Sequence, residues 1–378
     1  MENTMDERIP AEVFPPGEFL SDELEARRWT QSEFAEIIRR PIRVVNEIVM
    51  GKKAITTETA REFSAAFGTS PQYWLNLQTA YDLWKTAPAP AAEIIARDAH
   101  LRERFPIREI IKRGWIPHSE NFDVLEDRVC RFYGIANSGD EPQLAYAARR
   151  NHNLGYSHLQ EAWLFRVKQL AVALRVPKYS EKRLREATRS LELLLLEPEE
   201  IHKVPTILAD CGVRLVVVEP IPSSKINGAC FWIDHDSPVI GLSLKGDFID
   251  RVWFNIRHEV EHVLRGDGRE AAIVDDFEGG TLDSIDAAEK AANLAAAEFC
   301  VSQKALDDFI ARHDPIYPTA SLIGFSRLMK RHPGIVAGQL QHKIKRPELF
   351  KKLQSRVRDL LTATALTDGH GKELPATI

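Results

Sequence analysis

The chain has 378 residues, 44% of them hydrophobic, with a formal net charge of −5, as expected of an ordinary soluble chain of two or three domains. No apolar run approaches a membrane span. The start, Met1-Glu2-Asn3-Thr4-Met5-Asp6-Glu7, has neither a basic region nor an apolar stretch, so no secretory signal is expected. Cys130, Cys211, Cys230 and Cys300 are scattered without ligand-like spacing, as cytoplasmic thiols are.

The first informative elements lie between Trp29 and Lys53. Thr30 followed by Glu33 is a capping box, which predicts a helix through Ile38. Arg39-Arg40 makes a turn, and Pro41 suits the first position of the next helix. There Ile42, Val45, Ile48 and Val49 form one apolar face, Arg43, Val44, Asn46 and Glu47 point outward, and Gly51 ends the helix. Two short helices with a tight turn predict a helix-turn-helix.

The acidic total says nothing for nucleic acid, but the local balance does. Between Ile37 and Lys53, Arg39, Arg40, Arg43, Lys52 and Lys53 stand against Glu47 alone. Such a patch attracts phosphates, while Arg43 and Asn46 are placed to read base edges. Gln31, Arg40, Lys52 and Lys53 complete the candidate DNA-binding set. The run Thr30-Gln31-Ser32-Glu33-Phe34-Ala35-Glu36, with Ile48 and Gly51-Lys52-Lys53, resembles the lambda-repressor-like (XRE) class. The wider span from Pro15-Pro16-Gly17-Glu18 to Thr69-Ser70-Pro71-Gln72-Tyr73-Trp74-Leu75-Asn76-Leu77-Gln78 resembles HigA-type antitoxins. Arg39 stands where that class has a turn glycine, and Met50 where it has asparagine. The resemblance implies an all-α lambda-repressor-like domain over residues 1–86, working as a homodimer on a double-stranded DNA operator.

Thr86-Ala87-Pro88-Ala89-Pro90-Ala91-Ala92 reads as an extended hinge. A helical middle segment, residues 87–203 with the hinge, follows. Its apolar residues repeat at three and four over Ile107–Arg113, Phe122–Tyr133, Leu159–Leu174 and Glu181–Leu196. It carries no legible chemistry; Trp115, Trp163 and Phe165 read as core. Strands are expected at Val213–Val218, Ala229–Ile233 and Val239–Leu244.

Directly after them comes His258-Glu259-Val260-Glu261-His262 in an amphipathic helix. Histidines four apart lie on one helix face, so both imidazoles reach one metal ion. Glu259 beside the first histidine is placed as a general base rather than a ligand. Trp253, Phe254, Ile256, Val260, Val263 and Leu264 surround the motif, and so polar a buried helix needs a compensating partner. A third ligand is sought among Asp275, Asp276, Glu278, Asp283, Asp286, Glu289 and Glu298. The alanine-rich stretch Ser284–Phe299 predicts a helix able to approach the first closely. Glu289 is the favoured ligand, with Asn293 one turn on accepting a hydrogen bond from a histidine and Glu298 as the fallback. The metal expected is zinc, with manganese second.

Val204 to about Gln341 resembles the ImmA/IrrE metallopeptidases. The match runs through Lys225-Ile226-Asn227-Gly228-Ala229-Cys230-Phe231-Trp232, Pro238–Leu244, the two metal helices and His332-Pro333-Gly334-Ile335-Val336. The resemblance places the family's ligands and base on His258, Glu259, His262 and Glu289. Glu261 departs from it, standing where a small or apolar residue is usual; so does Phe299-Cys300-Val301-Ser302 after the second helix. An α+β zincin-like, gluzincin-type domain is expected over residues 204–361, with a flexible tail at 362–378. Gly228–Phe231 reads as a sheet edge able to bind substrate as an added strand; Tyr317, His332 and His342 are the C-terminal candidates for an oxyanion donor. The multidomain chain is therefore expected to be a DNA-binding regulator whose zinc endopeptidase domain cleaves a repressor- or antitoxin-like protein partner. The alternative is a HigA-like repressor whose metal domain only senses or binds a toxin-like partner.

Overall fold

The structure, a computed structural model, describes residues 13–86, 90–144, 156–275 and 287–372. The chain divides into two compact units, Met1–Arg97 and Asp98–Ile378.

The first unit holds helices α1 (Pro16–Arg27), α2 (Gln31–Ile37), α3 (Ile42–Val49), α4 (Thr57–Phe67) and α5 (Pro71–Lys85). Side-chain caps start three of them: Thr30 and Glu33 close a capping box on α2, Thr56 and Thr59 one on α4, and Ser70 caps α5. Leu20, Phe34, Val45, Phe63 and Trp74 are fully buried and share one core. Gly17 explains the start of α1: a Cβ there would stand 2.3 Å from the carbonyl oxygen of Ile48, so only glycine lets α1 meet the end of α3. Two details differ from expectation. Pro41 caps α3 from outside rather than opening it, and Ile42, expected on the apolar face, is 52% exposed because that face narrows to Val45 and Ile48.

Residues 87–89 of the expected hinge lie outside the described residues, and Pro90 to Ala92 already belong to α6 (Pro90–Arg104), which crosses the division between the units. Then come α7 (Ile107–Lys112), α8 (Phe122–Tyr133), α9 (His158–Ala173), α10 (Glu181–Glu192) and α11 (Val204–Asp210). Strands β1 (Arg214–Val218), β2 (Gly228–Trp232) and β3 (Pro238–Leu242) precede α12 (Ile249–Arg265), β4 (Ile273–Asp275) and α13 (Ala287–Cys300). The rest comprises α14 (Gln303–His313), α15 (Thr319–Met329), α16 (Pro333–Ile344), α17 (Arg358–Thr362) and β5 (Leu366–Asp368).

The sheet has the order β4-β2-β3-β1-β5. β1 runs parallel to β3 and β5, whereas β2 runs antiparallel to β3 and β4. Each strand buries alternate residues on opposite faces. Leu215, Val217, Cys230, Trp232, Ile240 and Leu242 join a core with α10, α11 and α12. Val216, Val218, Ala229, Phe231 and Val239 join a second core with α7, α8 and α9. Trp163 of α9 lies flush on β3 because Gly241 has no side chain: a Cβ there would come within 2.9 Å of the indole. Trp115, Trp163 and Phe165 are buried as expected. Residues 98–203 and the sheet thus share cores on both faces. No described helix is long and apolar enough to cross a membrane.

The expectation of a flexible tail from Thr362 is corrected for residues 362–372. β5 pairs with β1, and Asp368 is buried against Arg166 of α9 at 2.5 Å. Two charges taken from water together must stay together, and this pair joins residues 202 positions apart. Residues 373–378 lie outside the described residues.

Candidate metal centre and helix-turn-helix

α12 buries one face against the sheet and another against α13, which alanines at 292 and 296 bring close. His258, Glu259 and His262 are all 0% exposed. Glu289, one turn into α13, faces them: its carboxylate oxygens lie 3.4 Å from His258 Nε2 and 3.3 Å from His262 Nε2. The two Nε2 atoms are 3.0 Å apart. Ligands about 2.0–2.2 Å from a tetrahedral zinc stand about 3.3–3.5 Å from each other. The three donors therefore nearly form one face of such a tetrahedron, and nitrogen and carboxylate oxygen are the donors a zinc-like divalent ion takes. Burial pushes the Glu289 carboxyl up, but hydrogen bonds from both histidines outweigh it and bring it down to about 2. Burial likewise lowers His262, yet Glu289 and Asp267 leave it raised overall.

Glu259 lies against β2. A Cβ at Gly228 would stand 2.3 Å from its Oε1, so glycine at that strand position gives the carboxylate its place. Gly228 was also expected to belong to a substrate-binding edge, and here the expectation is corrected. β2 is an inner strand, its Gly228–Cys230 span paired with β4.

The remaining candidates separate. Asn293 was expected to support a histidine; its Oδ1 is buried and makes no hydrogen bond among the described residues. His262 Nδ1 meets Asp267 Oδ2 at 3.0 Å instead, because the αL cap at Gly266 (φ 74°) turns the chain back beneath the histidine. Glu298, the fallback, does not join the three donors that come together; it accepts the backbone N–H of Gln303 at 2.8 Å at the start of α14. Asp276, Glu278, Asp283 and Asp286 lie outside the described residues, as does the Asp275 side chain. Glu261 pairs with Arg257 at 2.8 Å. The Tyr317 hydroxyl donates to Asp314, His332 caps α16 by accepting from Gly334 N–H, and His342 is exposed. Among the described residues, no hydrogen bond brings any of the three to the centre.

In the first unit, Gln31 and Asn46 come together across the two helices, Asn46 Nδ2 donating to Gln31 Oε1 at 3.3 Å. Arg43 is 85% exposed and pairs with Glu47. Lys52 and Lys53 are exposed just beyond α3. Arg40, expected among the DNA-facing residues, is instead held by two carboxylates of α4, Glu62 at 2.7 Å and Glu58 at 3.0 Å. Both acids are distant in sequence, so the window that gave the basic patch could not include them. Arg39 occupies the αL turn position at φ 55°, the conformation a glycine adopts without strain.

The N-terminal unit matches known regulators. An uncharacterized HTH-type transcriptional regulator of Escherichia coli K12, YddM, is 35% identical over 68 residues, which make up 18% of this chain and 72% of the relative. The chain belongs with the HTH-type transcriptional regulators. A second such regulator, from Haemophilus influenzae, is 39% identical over 18% of this chain and 64% of its own length, just under two thirds. A solved HigA-family addiction module antidote protein from Coxiella burnetii is 37% identical over 19% of this chain and 79% of its own, with a TM-score of 0.19. The Pseudomonas aeruginosa antitoxin HigA, solved with the higBA promoter, is 32% identical over 20% and 82%, again at 0.19. Residues 212–344 match the IrrE N-terminal-like domain, Peptidase M78. This HTH-type regulator therefore carries a peptidase-family domain, and every ligand candidate placed at the centre falls within the matched span.

Proposed function

We propose that the chain is a DNA-binding regulator whose second unit is a zinc-dependent endopeptidase acting on a specific protein partner of the repressor or antitoxin type. The observation that carries the reading is Glu259, buried beside a complete His258–His262–Glu289 donor set and given room by Gly228. A purely structural metal site has no need of that carboxylate. His258, His262 and Glu289 would hold the ion. When bound, zinc supplies a Lewis acid that lowers the pKa of a water towards about 7. Glu259 takes the proton of the attacking water and returns it to the leaving amine. In the first unit, α3 enters the major groove of an operator. Arg43 and Asn46 face base edges there, with Gln31 steadying Asn46, while Lys52 and Lys53 meet phosphates. Two copies on an inverted repeat give the symmetry such a helix pair uses.

The test is a Glu259→Gln protein used to capture partners, which are then offered to the wild-type protein. Gln keeps size and hydrogen bonding but removes the base, so cleavage should fall by more than about a hundredfold. Metal content and operator binding should be unchanged. If the substituted protein processes its captured partner at the wild-type rate, the second unit senses or binds a partner and the peptidase reading is wrong.

A further inference from the structure

The segment that closes α12 is built with more interlocking contacts than a helix end requires. Gly266 turns the chain, and the Asp267 N–H then bonds back to the His262 carbonyl at 2.9 Å. The Asp267 carbonyl accepts the Trp232 indole N–H at 2.8 Å. Gly268 lies so close to β2 that a Cβ would stand 2.6 Å from the Cys230 carbonyl oxygen, at φ +80°. Arg269 then stacks its guanidinium 3.7 Å from the Trp232 ring centroid. Within this clamp one group faces the metal helix: Asp267 Oδ2, 3.0 Å from His262 Nδ1 and 3.2 Å from Arg265 Nε.

We propose that Asp267 is the positioning residue of the metal centre, and that β2, through Trp232 and Cys230, sets where it stands. An imidazole can ligate through Nε2 only if the remaining proton sits on Nδ1. A carboxylate at Nδ1 fixes that tautomer, sets the ring plane and raises the basicity of the ligating nitrogen. The same strand gives Glu259 its room at Gly228. One strand thus touches both the base, at Gly228, and the segment that holds the second histidine, at Trp232. This inference rests on the metal-centre reading above.

The experiment measures Zn²⁺ affinity by competition with a chromophoric chelator, on the full chain and on Asp267→Ala, Asp267→Asn and the His258→Ala/His262→Ala pair. Asp267→Ala should bind zinc about 10–100-fold more weakly. Asp267→Asn keeps an acceptor oxygen without the charge and should recover part of that loss. Two readouts separate positioning from folding. The metal-free melting temperature should be retained in both single variants. Nitrogen-15 spectra of histidine-labelled, metal-free protein, recorded above the histidine titration range, should show His262 carrying its proton on Nδ1 in the wild type and redistributed in Asp267→Ala. Wild-type zinc affinity in Asp267→Ala overturns the proposal. So does a loss of affinity that follows the loss of melting temperature and is not eased by Asn. Unchanged zinc binding in the double histidine variant would instead overturn the metal centre itself.

Discussion

The two units place their chemistry by different means. In the helix-turn-helix unit, the residues offered to a partner sit on one continuous stretch, Gln31 to Lys53, and their neighbours are mostly local: the Thr30–Glu33 box, the Arg43–Glu47 pair, and Gln31 with Asn46. In the second unit the working residues come from α12, α13, β2 and the loop after α12, and its buried ion pair reaches from Arg166 to Asp368. A local site can tolerate loss of one contact. A site assembled from distant segments depends on each of them, so changes of similar size should cost the second unit more.

The largest effect expected is at the ligands. Glu289→Ala should take the purified protein from about one divalent ion per chain to nearly none, whereas Glu298→Ala should leave the ion in place. Glu298 does not join the three donors and accepts a backbone N–H at the start of α14. Elemental analysis of the two variants decides, and the reverse pattern would move the third ligand off α13. Next comes Asp368→Ala. It takes the carboxylate from buried Arg166, which keeps a hydrogen bond to Gln169; removing one partner of a buried pair costs up to about 3–5 kcal/mol. Denaturant unfolding of the full chain should show this in the transition of the second unit, with the first unit's transition unmoved. A value under about 1 kcal/mol, as for an exposed pair, would mean that β5 is dispensable and that the second unit tolerates the loss of one contact as the first does.

How much of this was legible follows the same division. The capping box, the second helix and the apolar face through Val45 and Ile48 are properties of adjacent residues, so the helix pair could be read directly. His258, Glu259, His262 and Glu289 were legible because helical spacing fixes which side chains share a face and small alanines mark a close helix contact. What was not legible came from residues brought near by the fold. Asp267 was missed because Gly266 reverses the chain, although a glycine directly after a helix, followed by an acid, is a signal that could have been used. Glu58 and Glu62 were missed because they belong to another helix. β5 was missed because three residues next to a charged end have no visible pattern until they meet β1. Gly228 was seen, but its reason, the Glu259 carboxylate against the strand, is a tertiary fact.

Smaller effects should appear on operator binding. If Arg43 pairs with guanine, Arg43→Ala should cost about 1–3 kcal/mol and relax preference at one base pair. Lys52→Ala should weaken all sequences alike and reduce the salt slope by about 1. The pair Glu58→Gln/Glu62→Gln sharpens the contrast. Those acids now hold Arg40, and releasing it should add a phosphate contact and steepen the salt slope by about 1. Titrations at several salt concentrations measure all three. A slope unaffected by the paired change would place Arg40 away from the duplex altogether.

The smallest effect concerns Arg39. A residue with a Cβ in the left-handed region costs about 1 kcal/mol relative to glycine, and nothing in the turn compensates by packing, since the side chain is exposed. Arg39→Gly removes that strain but also loosens the unfolded chain, whose extra freedom opposes part of the gain. The net expectation is a stabilisation of the first unit by about 0.5 kcal/mol or less, with the transition of the second unit unchanged. The arginine would then be kept for its charge beside the outward face of α3, so the same variant should bind DNA more weakly and with a lower salt slope. Stability and affinity moving in opposite directions would identify the turn as a place where binding is favoured over folding. If both rise together, or if stability falls, the strained turn has a packing role that its exposed side chain does not reveal.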